Sequence, residues 1–199
     1  FRGYFPSLKN GHSVAWESQL EGGLFRLLEL SPFVLSYEVQ PSRERIPLGD
    51  TFVDYIPDLR VFLGNGSEWW VEVKPASKLS VLSVKQKLIA ASMHFPATKR
   101  NFLVVTDELI WREPLATNLQ KILYHRRGPL LSPAEHAEVS SKLSKYKPQV
   151  FFDLISIFGR MEAWRLLGLC VIGINLEEHF IEESQVFLSG GHRHANIFA

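Results

Sequence analysis

The chain has 199 residues, 46% of them hydrophobic and 22% charged, with a formal net charge of +1. That suits one ordinary globular domain, or a core domain of roughly 100 to 120 residues plus a smaller one. Its only cysteine, Cys170, excludes a disulfide framework and a cysteine-based metal site. No apolar run reaches the ~20 residues needed to span a bilayer.

The opening FRGYFPSLKNG has no apolar signal-peptide core, so a reducing cytoplasm is the expected setting. From Ser13 to Leu30, Trp16, Leu20, Leu24, Leu27 and Leu28 recur at helical spacing and predict a helix, which Ser31-Pro32 stops. FVLSYEVQP and ERIPL read as short strands. TFVDYIPDLRVFL reads as a strand bent at Pro57, because proline cannot donate to a ladder. Gly64-Asn65-Gly66 signals a turn, and EWWVEVK is the returning strand. Ser80 to Phe95 predicts a helix with Val81, Val84, Leu88 and Ala91 on one face. NFLVVTD is nearly all apolar, as in a strand covered on both faces. Together these predict an α/β core ending near Asp107.

After residue 107 the pattern turns helical. Pro114 to Arg127 and Phe151 to Leu169 predict helices, and Ser132-Pro133 followed by Glu135 opens another, with Ser132 as N-cap. Residues 108–190 read as a small helical, winged-helix-like domain, and residues 191–199 as a flexible tail. The His192/His194 pair reads as tail rather than metal site, and Trp69 and Trp70 as packing residues.

The chemistry concentrates around the Asn65 turn. Asp58 lies seven residues before it and Glu72 seven after it, so a symmetric turn sets the two directly opposite. Opposed Cβ atoms lie roughly 4.5 to 5.5 Å apart. That spacing lets two carboxylates share one hard cation at the 2.0–2.1 Å per oxygen that magnesium demands. Side chains alternate along a strand, so Lys74 faces the same side as Glu72. Carboxylates, a divalent cation and an amine are what phosphodiester hydrolysis needs: a nucleophilic water, charge neutralisation and help for the leaving oxygen. The direction of any Lys74 pKa shift stays open. Glu21 in WESQLEGGLF is a further acid, either a metal ligand or, with Glu17, solvent-facing. From Val73 to Thr106 the chain carries Lys74, Lys78, Lys85, Lys87, Lys99 and Arg100 and no acid. Such a run is a solvated face or a phosphate-binding one, with Lys78 and Lys85 the candidate DNA contacts.

Pro57-Asp58 with Glu72-Val73-Lys74 matches the PD-(D/E)XK nuclease signature. Added to FPSLKNGHSVAWESQLEGGLFRLLELSPFVLSYEVQP, YIPDL and VEVKPASKL, it makes residues 4–107 resemble the TnsA family, endonuclease subunits of heteromeric cut-and-paste transposases. The resemblance implies a restriction-endonuclease-like core over residues 1–107, a mixed sheet flanked by helices. It implies Glu21, Asp58, Glu72 and Lys74 as catalytic, with Mg2+ (or Mn2+ in its place) on Glu21, Asp58 and Glu72. The implied activity is nicking of the 5′ strand at transposon ends in double-stranded DNA. The implied partners are an integrase-type transposase and an AAA+ ATPase regulator, the latter met through the C-terminal domain, in a bacterial cytoplasm and with no membrane. The residues alone leave two alternatives: a stand-alone restriction or repair nuclease, and a non-catalytic assembly module on a nuclease fold.

Overall fold

A computed structural model describes residues 2–199. The chain divides into two units. Among the described residues, the first comprises 2–29, 33–112 and 196–199, and the second 30–32 and 113–195.

The first unit begins with a hairpin, β1 (Gly3–Ser7) and β2 (His12–Trp16), where the sequence predicts an irregular entry and the start of a helix. The helix α1 starts later, at Gln19, and runs to Leu30. Leu20, Leu24, Phe25, Leu27, Leu28 and Leu30 are all buried, as is Glu29, so α1 is covered nearly all round rather than along one stripe. Phe25 meets Tyr37 at 5.4 Å between ring centroids. Gly23 lets α1 approach closely, since a Cβ there would fall 2.4 Å from the Ile110 side chain.

Four strands form the main sheet in the order β3 (Val34–Val39), β6 (Leu59–Leu63), β7 (Glu68–Val73), β8 (Asn101–Val105). β3, β6 and β7 are antiparallel neighbours, while β7 and β8 are parallel. A parallel pair needs a crossover, and α2 (Leu82–Ala97) supplies it. The sheet is therefore mixed and flanked by helices. The segment expected to be one strand bent at Pro57 is two strands in different sheets. β5 (Thr51–Tyr55) pairs with β4 (Glu44–Leu48) in a separate hairpin, and β6 starts after the break at Ile56-Pro57-Asp58.

α2 also differs from its expected orientation. Its buried residues are Ala90, Ala91 and Phe95, whereas Val81 is exposed and Val84 and Leu88 are only half-buried. With Ile46, Tyr55 and Trp70 these three form an apolar cluster that ties the β4–β5 hairpin to α2 and the sheet. Phe95 and Phe102 stack at 5.0 Å in its centre. Glu44 closes the cluster's edge, receiving both guanidinium arms of Arg100 and lying 3.3 Å from His94 Nε2. A short helix, α3 (Asp107–Ile110), ends the unit's main run.

In the second unit α4 (Leu115–His125), α5 (Pro133–Tyr146), α6 (Phe151–Phe158) and α7 (Arg160–Gly168) precede a minimal strand pair, β9 (Gly173–Ile174) and β10 (Val186–Phe187). α5 opens with a capping box in which Ser132 and Glu135 satisfy each other's backbone amides. Phe151, Trp164 and Phe180 pack ring against ring at 4.9–5.2 Å. Residues 191–199, read from sequence as a flexible tail, are tied down. The Arg193 amide donates to Ile174 O at 2.9 Å, and the Leu176 amide to Arg193 O at 2.8 Å. His192 is buried, its Nδ1 accepting from the Ile174 amide at 3.2 Å and its Nε2 2.9 Å from Leu167 O. Burial pushes its pKa down to about 4, so it is a neutral structural pin. Phe198 lies 5.8 Å from Trp69, back in the first unit. Among the described residues no helix is long and apolar enough to cross a membrane.

Candidate active site

The site is built by the β6–β7 hairpin. Gly66 adopts φ +84, a left-handed conformation that glycine reaches without a Cβ penalty. Its amide donates to Leu63 O at 3.0 Å, and the Leu63 amide donates to Ser67 O at 2.9 Å. This three-residue turn sets the ladder with Leu59 opposite Val71. One further step along it puts Asp58 level with Glu72. Asp58 has left the strand, however, because Pro57 interrupts the ladder. Its side chain takes over the missing role: Asp58 Oδ2 accepts from the Val73 amide at 2.7 Å. The Asp58 carbonyl accepts from the Gln40 amide at 2.9 Å, fixing the residue to the end of β3 as well. On the far side, the Lys74 amide donates to Val105 O at 3.0 Å, so the end of β7 is held from both neighbours.

Lys74 Nζ lies between the two acids, 2.6 Å from Glu72 Oε1 and 3.8 Å from Asp58 Oδ2. The other oxygen of Glu72, Oε2, accepts from the Tyr55 hydroxyl at 2.7 Å. The Glu72 side chain is 6% exposed, that of Asp58 21% and that of Lys74 33%. Burial and the charge of Glu72 push the Asp58 carboxyl up to about 7, against the opposing pull of the Val73 amide and Lys74. Burial by itself would lower Lys74, but the hydrogen bond and charge of Glu72, then Asp58 and Glu21, outweigh it and hold the ammonium above its usual range. Tyr55 is raised by burial and by Glu72, so it stays a neutral donor.

A pocket of about 310 Å³ opens beside these groups, lined by Asp54, Tyr55, Ile56, Glu72, Lys74, Val84, Lys87 and Leu88. Lys87 reaches it, whereas Lys78 and Lys85 are exposed and do not line it. Glu21 is not drawn into the acid pair. Its oxygens accept from the Glu17 amide at 2.9 Å and from Ser18 Oγ at 2.8 Å, and its own amide donates back to Ser18 Oγ at 3.2 Å. It therefore caps the start of α1, although its charge is felt at both Asp58 and Lys74. Glu17 precedes α1 and pairs with Arg2. Among the described residues, no group of three or more His, Cys, Asp or Glu side chains is gathered as a metal ligand set.

Two residues at this site escape sequence reasoning. Tyr55 belongs to a hairpin outside the main sheet, and only the packing of that hairpin on α2 brings its hydroxyl to Glu72. Lys87 is one lysine of a basic run, with nothing local to separate it from Lys85. The Ser18-to-Glu21 spacing is a legible signal of the cap, since Ser followed three residues later by Glu is a helix-start signature. Compared with protein families the chain matches none, and no curated protein matches it.

Proposed function

We propose that the chain is a metal-dependent DNA endonuclease in which Asp58 and Glu72 hold a divalent cation beside Lys74. One observation carries the reading: an acid just before β6 and an acid on β7 converge on a single ammonium at the wall of a pocket. The donor set fits magnesium, being hard oxygens on both sides. The elevated Asp58 pKa also fits: burial and the Glu72 charge raise it despite Lys74, and a bound cation would offset both. A bound divalent ion would supply a nucleophilic hydroxide and neutralise the phosphoryl oxygens. Lys74, protonated here, would donate to the attacking water or to a phosphoryl oxygen and stabilise charge that develops there. Glu21 contributes its charge from the cap of α1 and is the candidate third acid. Lys87, and further out Lys78 and Lys85, would meet the phosphate backbone.

Within this class we favour a TnsA-like role, nicking the 5′ strand at transposon ends beside an integrase-type transposase. The support is the resemblance of the Glu21, Pro57-Asp58 and Glu72-Val73-Lys74 segments. The second unit is then the partner-binding part, its winged-helix likeness resting on helices followed by a strand pair, and an AAA+ ATPase its expected contact. The test is cleavage of duplex transposon-end DNA with the partner transposase and Mg2+. Asp58→Ala and Lys74→Ala should each abolish nicking; if both leave it intact, the assignment is wrong. One observation favours a non-catalytic assembly module instead: Lys74, Glu72, Asp58 and Glu21 all have internal partners. Absence of Mg2+ and Mn2+ binding in calorimetry would decide for that reading.

A further inference from the structure

We infer that Tyr55 is a positioning residue for the candidate metal centre, holding Glu72 so that Oε1 rather than Oε2 is presented toward Asp58. The inference rests on the nuclease reading above. The two oxygens of Glu72 are not equivalent. Oε2 is taken by the Tyr55 hydroxyl at 2.7 Å, whereas Oε1 meets Lys74 Nζ at 2.6 Å. That same ammonium lies 3.8 Å from Asp58 Oδ2, so Oε1 is the Glu72 oxygen that shares a cation with Asp58. The terminal torsion of a glutamate is broad, and nothing in its own chemistry selects one oxygen. A hydrogen bond to a fixed donor does.

The donor is fixed by its ring. Tyr55 meets Phe95 edge-on at 6.1 Å and Phe102 at 6.3 Å, and those two rings are stacked on each other. The phenol cannot follow a swinging carboxylate without breaking that cluster. Tyr55 also ends β5 and precedes Asp58 by three residues, so one segment delivers both the acid and the group that aims its partner. Asp58 and Glu72 would hold the cation, with Oε1 the Glu72 oxygen left to share between it and Lys74. The cation need not disturb Oε2, because Tyr55 already satisfies it.

The experiment is a Mn2+ titration of the full chain by calorimetry, wild type against Tyr55→Phe, which keeps the ring and removes only the hydroxyl. Losing a partner that orients a metal ligand typically costs 10–100-fold in affinity, so the Mn2+ Kd should rise by about ten-fold or more. Duplex cleavage by Tyr55→Phe should then need more Mn2+ for half-activation but recover kcat at saturation, a split that general loosening of the fold would not produce. A Kd within about two-fold of wild type overturns the inference. So does a loss of kcat that added Mn2+ does not restore. If wild type binds Mn2+ and cleaves while Tyr55→Phe matches it, only the role of Tyr55 falls. If wild type takes up no Mn2+, the nuclease reading falls first and this inference with it.

Discussion

Replacing Asp58 by Asn should stabilise the metal-free protein at neutral pH while removing its function. Asp58 moves from an ordinary value of 3.8 when unfolded to about 7 when folded. A raised acid contributes stability below its unfolded pKa and loses it as pH climbs through the folded one. The wild-type penalty therefore opens between pH 3.8 and about 7 and is complete at pH 8. At about 1.36 kcal/mol per pKa unit the ceiling is about 4 kcal/mol. The side chain keeps 21% exposure. Asn also retains an oxygen for the Val73 amide, so a gain of about 2 kcal/mol is expected. Urea unfolding in EDTA measures it: Asp58→Asn should exceed wild type at pH 8 and equal it at pH 4. Saturating Mg2+ should narrow the gap, since a ligand at ten times its Kd adds about 1.4 kcal/mol to the wild type alone. An Asn variant less stable than wild type at pH 8, or a gap that ignores pH, would refute the reasoning.

Lys74→Ala should lower cleavage by at least about 10²-fold at saturating Mg2+, as expected for a lost proton donor or charge stabiliser, read from single-turnover gels. His192, buried and lowered from 6.5 to about 4, makes the second unit acid-sensitive. A lowered histidine contributes stability above its unfolded pKa, so about 3 kcal/mol should disappear as pH falls from 6.5 to about 4, and His192→Gln should flatten that part of the profile in urea melts. Arg100→Ala strands the Glu44 carboxylate beside the apolar cluster and should cost about 2–4 kcal/mol at pH 7. Glu44 is held below its ordinary value chiefly by the Arg100 hydrogen bond. The Arg100→Ala deficit should therefore shrink as pH drops below about 4.5, where that carboxylate protonates even in the unfolded chain.

Local signals carry some of this molecule into its sequence and not the rest. The β6–β7 hairpin is legible because Gly64-Asn65-Gly66 is unusual chemistry with one structural solution. The Asp58-to-Glu72 spacing follows from counting outward from it. The α5 start is legible for the same reason, since Ser132 and Glu135 act within one turn of backbone. The β1–β2 hairpin is not legible, because Trp16, four residues before Leu20, continues the apolar spacing of α1 and the period alone does not mark where strand gives way to helix. The split of β5 from β6 is only half visible: Pro57 announces an interruption, but which sheet each half joins depends on Ile46, Tyr55 and Phe95 meeting across the chain. Glu21 shows the limit most clearly. Its residue type and position allow a ligand or a solvent-facing acid, and only the placement of Ser18 Oγ and the Glu17 amide reveals that it caps α1.

The path of the backbone also bears on how this protein can be dissected. Residues 30–32 leave the first unit before its sheet is complete, and residues 196–199 return to it after the helices are done. A cut after Arg112 would thus strip Phe198 from Trp69 on β7, the strand that carries Glu72. In chain order the helical unit is inserted like a parenthesis rather than appended like a suffix. Fragments intended to isolate the first unit should keep the last four residues on a linker in place of residues 113–195.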